Sequence, residues 1–184
     1  MTAFLLLLRG INVGGNHKVN MTDLKTDFLV LGLQNPLSYI NSGNLYFESK
    51  TSHTKLVDIL REYFERNFEF KIPFLLIEQE KLSSEYLTLP QWWFKDKYRK
   101  NALFFLPEMK MIEQNQIVSE ISKKDGENIF IGDYGIYWTI DTKEQYNTSF
   151  YHKDLIKKKW YKFLTIRNAN TVNHITKVMG LKKA

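Results

Sequence analysis

Three features of this 184-residue sequence predict an α+β fold built from two similar halves. The spacing of apolar residues alternates between strand-like and helix-like segments, in the same order in each half of the chain. Several strand-like segments are apolar at every position, which is typical of sheets that are covered on both faces. With 43% hydrophobic and 25% charged residues, the chain also has enough apolar surface for a packed core.

The first half is predicted to run strand, helix, strand, strand, helix, strand. Asn20 can cap the first helix, and Gly32 can end it in a left-handed conformation. The order is the split βαβ pattern of a ferredoxin-like unit, also called an α/β plait. The predicted elements are a strand at Ala3–Arg9, a helix from Met21 to Leu31, strands at Leu37–Asn41 and Leu45–Glu48 joined by Ser42-Gly43-Asn44, a helix at Lys55–Asn67 and a strand at Pro73–Ile77.

The second half repeats that order and adds a helix. Residues 79–100 are predicted to connect the halves and to include a helix near Glu80–Leu87. We therefore predict two ferredoxin-like halves, 1–78 and 101–184, packed together, with an extra C-terminal helix. The predicted elements are a strand at Ala102–Leu106, a helix at Gln114–Ser122 buried through Ile117, Val118 and Ile121, hairpin strands at Asn128–Ile131 and Ile136–Ile140, a helix at Lys153–Leu164, a strand at Thr165–Arg167 and a last helix at Asn170–Met179.

The strands Ala3–Arg9, Pro73–Ile77 and Ala102–Leu106 carry apolar residues on both faces. We expect helices to cover one face of each sheet. Either the second half of the chain or a second subunit should cover the opposite face, so a homodimer is one expectation. Covered faces argue against an RNA-recognition module, because that module stacks bases on aromatic residues of an exposed sheet.

Several classes of protein are excluded or disfavoured. The absence of cysteine excludes a disulfide scaffold, a thiol nucleophile and cysteine-ligated metal. The apolar run at the N-terminus is too short for a secretory signal or for the ~20 residues of a membrane span, so we expect a cytoplasmic protein with no membrane partner. No metal and no cofactor is expected, because metal-ligand spacing is missing among His17, His53, His152 and His174.

The basic charge is concentrated near the C-terminus. The net charge is +6, and residues Phe150 to Ala184 contain nine basic residues and one acid, whereas the rest has 17 basic and 19 acidic residues. Such a field attracts the phosphates of nucleic acids or nucleotides, and the alternative is a solvated face that maintains solubility. The candidate nucleic-acid surface consists of Lys153, Lys157, Lys158, Lys162 and Lys177.

A lesser basic cluster, from Lys95 to Lys100, lies beside aromatic residues. Trp92, Trp93 and Tyr98 can stack nucleic-acid bases. The alternative is that the paired tryptophans fill a gap between the two halves.

The glycine-rich loop from Gly10 to Lys18 is a candidate anion-binding loop. The spacing of Gly10 and Gly15 resembles the opening of a P-loop, but Asn16 and His17 replace the required lysine and serine or threonine. A glycine-rich turn before a helix still exposes backbone N–H groups to an anion. The alternative is that the glycines only supply positive φ for a tight loop.

Polar residues at strand ends and in loops complete the candidate ligand site. Arg9 and Arg167 can each bind a phosphate or carboxylate with two parallel hydrogen bonds, or pair with a helix C-terminus or a carboxylate. Asn170 can alternatively cap the last helix. The whole candidate set is Arg9, Gly10, Asn12, Gly14, Gly15, His17, Lys18, Ser42, Asn44, Arg167, Asn168, Asn170 and Thr171.

Some of these residues resemble the motifs of a known family. The sequences Arg9-Gly10-Ile11-Asn12-Val13-Gly14-Gly15, Ser42-Gly43-Asn44 and Asn170-Thr171-Val172 are similar to those of the bacterial domain of unknown function 1697, over nearly the whole chain. The resemblance implies two ferredoxin-like halves and leaves the activity open. Ala169 stands where that family usually has tryptophan, and Asn41 where it usually has glutamine, so a ligand platform built on that tryptophan is missing here.

These features together favour a binding protein for a phosphate-bearing ligand, with nucleic acid as the leading candidate. One alternative is an enzyme acting on a small phosphorylated or carboxylated substrate in a cleft between the halves, with Arg9 and Arg167 as clamps and His17 as an acid or base. A nucleophilic Ser42 activated by His17 requires that their two loops meet. The other alternative is an interaction or dimerisation module without a ligand.

Overall fold

The computed structural model describes residues 1–109 and 111–181, with side chains at 1–109 and 116–181. The chain folds as two compact units, Met1–Ser83 (the N-terminal unit) and Ser84–Ala184 (the C-terminal unit). Among the described residues each unit contains one four-stranded antiparallel sheet together with helices. The predicted α+β class is confirmed.

The N-terminal unit follows the predicted order of elements. Its sheet has the order β2-β3-β1-β4, and Leu6 in β1 pairs with Leu45 on one side and Leu76 on the other. The elements are β1 (Thr2–Leu8), α1 (Met21–Val30), β2 (Gln34–Tyr39), β3 (Asn44–Ser49), α2 (His53–Asn67) and β4 (Phe74–Glu78).

Strand β2 begins at Gln34, earlier than the predicted start at Leu37. The register shifts between Gln34 and Leu37, and Asn35 has a φ of 52°. Because β2 is an edge strand, Pro36 is accommodated without the loss of a ladder hydrogen bond in the middle of the sheet. Pro36 therefore lies within the strand.

Both faces of β1 are buried, in agreement with its unbroken apolar sequence. Phe4, Leu6 and Leu8 pack with side chains of α1 and α2, while Leu5 and Leu7 on the opposite face have no exposed area. Asn20 caps α1 as predicted, because its Oδ1 accepts a hydrogen bond of 2.9 Å from the Thr22 N–H.

The C-terminal unit contains a sheet of order β6-β7-β5-β8. The boundary between the units lies within α3, inside the segment predicted to be a connector. The elements from there on are α3 (Gln79–Thr88), a 3₁₀ helix (Gln91–Phe94), β5 (Arg99–Phe105), α4 (Met111–Glu120), β6 (Glu127–Ile131), β7 (Gly135–Ile140), α5 (Lys143–Thr148), α6 (Phe150–Lys153), 3₁₀ helices at Leu155–Lys157 and Lys159–Phe163, β8 (Leu164–Asn168) and α7 (Ala169–Val178).

The helix predicted at Lys153–Leu164 is wrong. The segment contains the end of α6 and two 3₁₀ turns, which are separated by an extended residue, Lys158 (φ −73°, ψ 135°). Leu155 and Trp160 are both buried, and five residues along an α-helix would rotate them about 140° apart. The tighter turns bring both side chains to the core, whereas Ile156 between them is 67% exposed.

Two smaller expectations about helices also fail. Val118 is 57% exposed rather than buried, because it lies about 100° around α4 from the buried Ile117. The last helix is capped by Asn168, whose side chain accepts a hydrogen bond of 3.0 Å from the Thr171 N–H, so Asn170 is not the cap.

Candidate functional site

The glycine-rich loop folds as a small hairpin after β1. Val13 and Asn16 form an antiparallel bridge, and the two residues between them, Gly14 and Gly15, have φ of 58° and 81°. Positive φ at both central residues is characteristic of a type I′ turn, which glycine adopts without steric cost. In the described part of the chain the N–H groups of Gly14 and Gly15 have no acceptor, and both residues are exposed.

Asn12 joins this loop to the turn between β2 and β3. Its Nδ2 donates to the carbonyls of Asn41 (2.8 Å) and Val19 (3.0 Å), and its Oδ1 accepts from the Val19 N–H (2.8 Å). Both donors of the amide are therefore used in holding backbone segments together. The two loops meet through Asn12, a structural role that the sequence did not reveal.

His17 and Ser42 lie in these loops, and each has partners of its own. The ring of His17 stacks on Phe70 with centroids 4.4 Å apart, and its Nδ1 lies 3.1 Å from the carbonyl oxygen of Gly10. Ser42 Oγ accepts a hydrogen bond of 3.0 Å from Asn44 Nδ2. Among the described residues no hydrogen bond joins Ser42 to His17, so this conformation contains no serine–histidine pair.

Asn44 and Gly43 shape the turn between β2 and β3. Asn44 is completely buried and also donates a hydrogen bond of 3.1 Å to the carbonyl of Tyr39. A Cβ on Gly43 would lie 2.6 Å from the Cβ of Leu8, so this position requires glycine. Arg9 is half-buried at the same end of the sheet, where its N–H bonds to the Pro73 carbonyl, and Lys18 is exposed.

The remaining members of the polar set lie at the β8–α7 junction of the C-terminal unit. Arg167 is 5% exposed, and its Nη1 donates to Thr165 Oγ1 (2.8 Å) and to the Ile166 carbonyl (2.9 Å). Thr171 is buried and Asn170 is exposed. The predicted polar residues therefore form one group in each unit.

The lysine-rich surface of the C-terminal unit contains both paired and unpaired cations. Lys157 pairs with Asp154 at 3.1 Å, and Lys158 lies 3.8 Å from Glu120. These four residues also line a cavity of about 180 Å³, in which charges of both signs face each other. Among the lysines that follow Phe150, the exposed ones without an ion pair to a described residue are Lys153, Lys159, Lys162 and Lys177, whereas Lys182 and Lys183 lie outside the described residues.

An aromatic cluster on the C-terminal unit was largely missed by sequence reasoning. Tyr146 on α5 lies at its centre, with the Arg99 guanidinium 4.3 Å from its ring centroid and the rings of His152 and Tyr98 at 4.7 and 6.2 Å. Tyr151 completes what we call the Tyr146 cluster. Of these, the sequence indicated Tyr98 and, in the basic cluster from Lys95 to Lys100, Arg99; the paired tryptophans are not part of the cluster, and Trp93 is buried against Tyr137.

A buried carboxylate accepts hydrogen bonds from residues that pack against this cluster. Glu127 is 1% exposed and accepts hydrogen bonds from Trp138 Nε1 (2.6 Å) and from the N–H groups of Lys124 (2.9 Å), Phe150 (3.0 Å) and Tyr151 (3.3 Å). The four donors satisfy the oxygens of a carboxyl group whose burial without hydrogen bonds would be destabilising. No local sequence pattern marks Glu127, because three of its four donors come from other elements.

A second buried carboxylate lies on α3. Glu85 accepts hydrogen bonds of 2.7 Å from the Tyr137 hydroxyl and the Tyr134 N–H. Burial raises the pKa of Glu85, although these hydrogen bonds partly oppose the shift. Burial and the adjacent Glu85 carboxylate raise the pKa of the Tyr137 hydroxyl well above its usual range. A Cβ on Gly132 would lie 2.6 Å from the Glu85 carboxylate carbon, so glycine makes room for that group.

Comparison with known proteins shows the family. The model of the family described as a protein of unknown function, DUF1697, matches residues 1–137. This chain belongs to the DUF1697 family. The membership confirms the resemblance inferred from the Arg9–Gly15 and Ser42–Asn44 motifs.

The DUF1697 protein is also similar to a solved structure. It shares 38% sequence identity with the conserved bacterial protein SP0830 from Streptococcus pneumoniae, and the two structures superpose with a TM-score of 0.91. The similarity covers 97% of this chain and 98% of that one. A comparison with curated proteins gives no significant match.

Two departures of this DUF1697 protein from the family pattern can be located. Asn41 contacts Asn12 through its backbone carbonyl, so that contact does not depend on the Asn41 side chain. Ala169 is the half-buried first residue of α7. The lysine-rich surface lies beyond the residues that the family model matches, whereas the glycine-rich loop, Arg99 and Glu127 lie within them.

Two specific features are absent from the described part of this DUF1697 protein: a cluster of metal ligands and a membrane-spanning helix. No cluster of three histidine, aspartate or glutamate side chains there could hold a metal ion. Within the same residues no helix is long and apolar enough to span a membrane.

Proposed function

We propose that this protein binds a phosphate-bearing ligand, with nucleic acid as the leading candidate, through the lysine-rich surface of the C-terminal unit. The observation that carries the proposal is that Lys153, Lys159 and Lys162 are exposed and have no ion pair among the described residues. When such ammonium groups contact phosphates, the counterions condensed on a polyanion are released, which favours binding.

The ion-paired lysines contribute less to this surface. Asp154 and Glu120 partly neutralise Lys157 and Lys158, and a bound phosphate has to compete with these carboxylates. Surface ion pairs are weak, so the lysines remain able to turn toward a ligand. The most informative substitutions are therefore those of the unpaired lysines.

The glycine-rich loop is proposed as a second anion contact, in the N-terminal unit. Its exposed Gly14 and Gly15 N–H groups and the neighbouring Lys18 support this role. Asn12 and Asn44 already use their amide groups to hold the loops, so we assign the contact to the backbone and to Lys18.

We also propose that each unit has the ferredoxin-like topology. In its support, the N-terminal unit follows the order β-α-β-β-α-β with sheet order β2-β3-β1-β4, and the sheet of the C-terminal unit has the corresponding order β6-β7-β5-β8. Helix α7 is then the addition to the second unit. A cytoplasmic location, where nucleic acid is accessible, is part of the same proposal.

The test is binding of labelled oligonucleotides, single-stranded and duplex, measured by fluorescence anisotropy at about 50 and about 200 mM salt. Affinity should fall steeply with salt, by about 0.7–0.9 log units per log unit of salt for each phosphate contacted. The triple variant Lys153→Gln, Lys159→Gln, Lys162→Gln should bind more weakly and with a shallower salt dependence.

A charge-matched variant of the N-terminal unit, Lys25→Gln, Lys50→Gln, Lys55→Gln, provides the control. It changes the net charge equally and should retain more affinity than the first triple variant. No binding at low salt, or equal losses in the two variants, would contradict the assignment of the surface.

A further inference from the structure

We infer that the Tyr146 cluster is a stacking platform for unpaired bases, so that the ligand is single-stranded nucleic acid. This inference rests on the proposed function and names the substrate class of the same surface. It is carried by the position of Tyr98, Arg99 and His152 around one tyrosine, on the unit that carries the unpaired lysines.

The exposed members of the cluster have flat faces that suit a base. Tyr98 is 44% exposed, and Arg99 and His152 are also exposed. Aromatic rings and the guanidinium plane stack on any base, because every base has a π face. The three groups lie around the half-buried ring of Tyr146, so they form one surface rather than three separate side chains.

Contacts with the core hold this surface in place. Tyr146 packs on Trp138 and Tyr151, whose own rings stack with centroids 4.3 Å apart. Glu127 accepts the indole N–H of Trp138 and also the Tyr151 N–H at the start of α6. Because α6 carries His152 and Lys153, this carboxylate also holds the helix that presents the His152 ring and one of the unpaired lysines. A preformed surface loses little conformational entropy on binding.

The charges around the platform also favour a polyanion. Arg99 has no ion pair among the described residues, and Lys153 directly follows His152. Asp141 is paired with Lys97, which leaves the exposed Glu144 as an acid on the same short helix as Tyr146. Phosphates can therefore contact Arg99 and Lys153 while the adjacent bases stack.

Stacking distinguishes single strands from duplexes. The bases of a duplex are already stacked inside the helix, whereas unpaired bases can be placed on aromatic side chains. The lysines alone do not make this distinction, because phosphates are present in both forms.

The experiment compares Tyr98→Leu and Arg99→Lys with the parent protein, and uses Tyr98→Phe as the conservative control. Leucine at position 98 keeps an apolar side chain but removes the aromatic ring. Lysine at position 99 keeps the positive charge but removes the planar guanidinium group. The probes are labelled single-stranded oligo(dT) and oligo(U), duplex DNA of the same length, and inorganic polyphosphate, which has no bases.

We expect Tyr98→Leu and Arg99→Lys each to weaken binding of the single-stranded probes by on the order of ten-fold, with an unchanged salt dependence. Binding of polyphosphate should be unchanged, and Tyr98→Phe should bind like the parent. The parent should prefer single strands to the duplex.

Two failures can be separated. In the first, the single-stranded probes and polyphosphate bind, but both variants bind like the parent or the duplex binds more tightly than the single strands. That result would reject the stacking platform and leave the proposed lysine surface in place. If neither the oligonucleotides nor polyphosphate bind at low salt, the proposed function itself fails.

Discussion

The buried side chain of Glu127 accepts hydrogen bonds from three other segments of the C-terminal unit. Its carboxylate accepts hydrogen bonds from four N–H groups. These bonds connect β6 with β7 and with the start of α6. Removing a partner from such a network leaves buried donors unsatisfied, which costs more than the hydrogen bonds contribute when formed.

Glu127→Gln is therefore expected to lower the free energy of unfolding by about 2–5 kcal/mol, because a single carbonyl oxygen cannot satisfy four donors. Urea unfolding followed by tryptophan fluorescence measures the change. Glu65→Gln, at an exposed position, is the matched control and should change stability by less than about 0.5 kcal/mol. Similar stabilities of the two variants would contradict this role for Glu127.

Glu85 is expected to stabilise the folded protein at low pH and to lose this contribution as the pH rises. A salt-bridged acid has the opposite pH dependence. Burial raises its folded-state pKa above the ordinary value of 4.5, so the folded protein binds the proton more tightly than the unfolded chain. The resulting stabilisation is fully present below the ordinary pKa and is lost as the pH rises through the raised value.

Glu85→Gln lacks this titration. The unfolding free energy of the parent minus that of Glu85→Gln should therefore fall as the pH is raised from about 4 to about 7. Unfolding by urea at a series of pH values gives this difference. A difference that does not change with pH would show that Glu85 has an ordinary pKa in the folded protein.

At the scale of elements, the loop after β1 depends on a side chain rather than on its glycines alone. Gly14 and Gly15 permit the tight turn, but Asn12 attaches that turn to Val19 and to the β2–β3 loop. Asn12 itself has a φ of 55°, which asparagine tolerates better than most residues.

Asn12→Ala should consequently release the loop and lower the free energy of unfolding by about 1–3 kcal/mol, since it removes three hydrogen bonds and retains the unfavourable φ. The amide proton of Val19 should exchange faster with solvent, because its acceptor is the Asn12 Oδ1. Asn16→Ala is the control, because Asn16 contributes its backbone N–H to the turn. Unchanged protection of Val19 in Asn12→Ala would contradict the role of Asn12.

The segment from Lys153 to Leu164 shows how far periodicity can be used to predict an element. Apolar residues between Lys153 and Leu164 recur at spacings that suit a helix, yet the segment forms 3₁₀ turns around the extended Lys158. Burial of both Leu155 and Trp160 determines the backbone there, and the sequence does not reveal which apolar residues the core accepts.

At the scale of the whole molecule, charge is distributed unevenly along the chain. The basic excess follows Phe150, beyond the residues 1–137 that match the DUF1697 family model. The total charge alone did not separate paired from unpaired lysines, because it does not show which acids lie beside them: Asp154 is a near neighbour of Lys157 in sequence, whereas Glu120 is far from Lys158 in the chain.

The sequence alone determined the α+β class, the order of most strands and helices, the cap at Asn20 and the family. These features depend on residues close together in the chain, where periodicity, glycine and capping side chains act directly. Only the tertiary structure decided that the Glu127 carboxylate accepts hydrogen bonds from backbone N–H groups as far apart as Lys124 and Tyr151. It also decided that the side chains of Tyr98 and Arg99 pack around the ring of Tyr146. Such contacts join segments far apart in sequence, and local patterns do not specify which distant segments the sheet brings together.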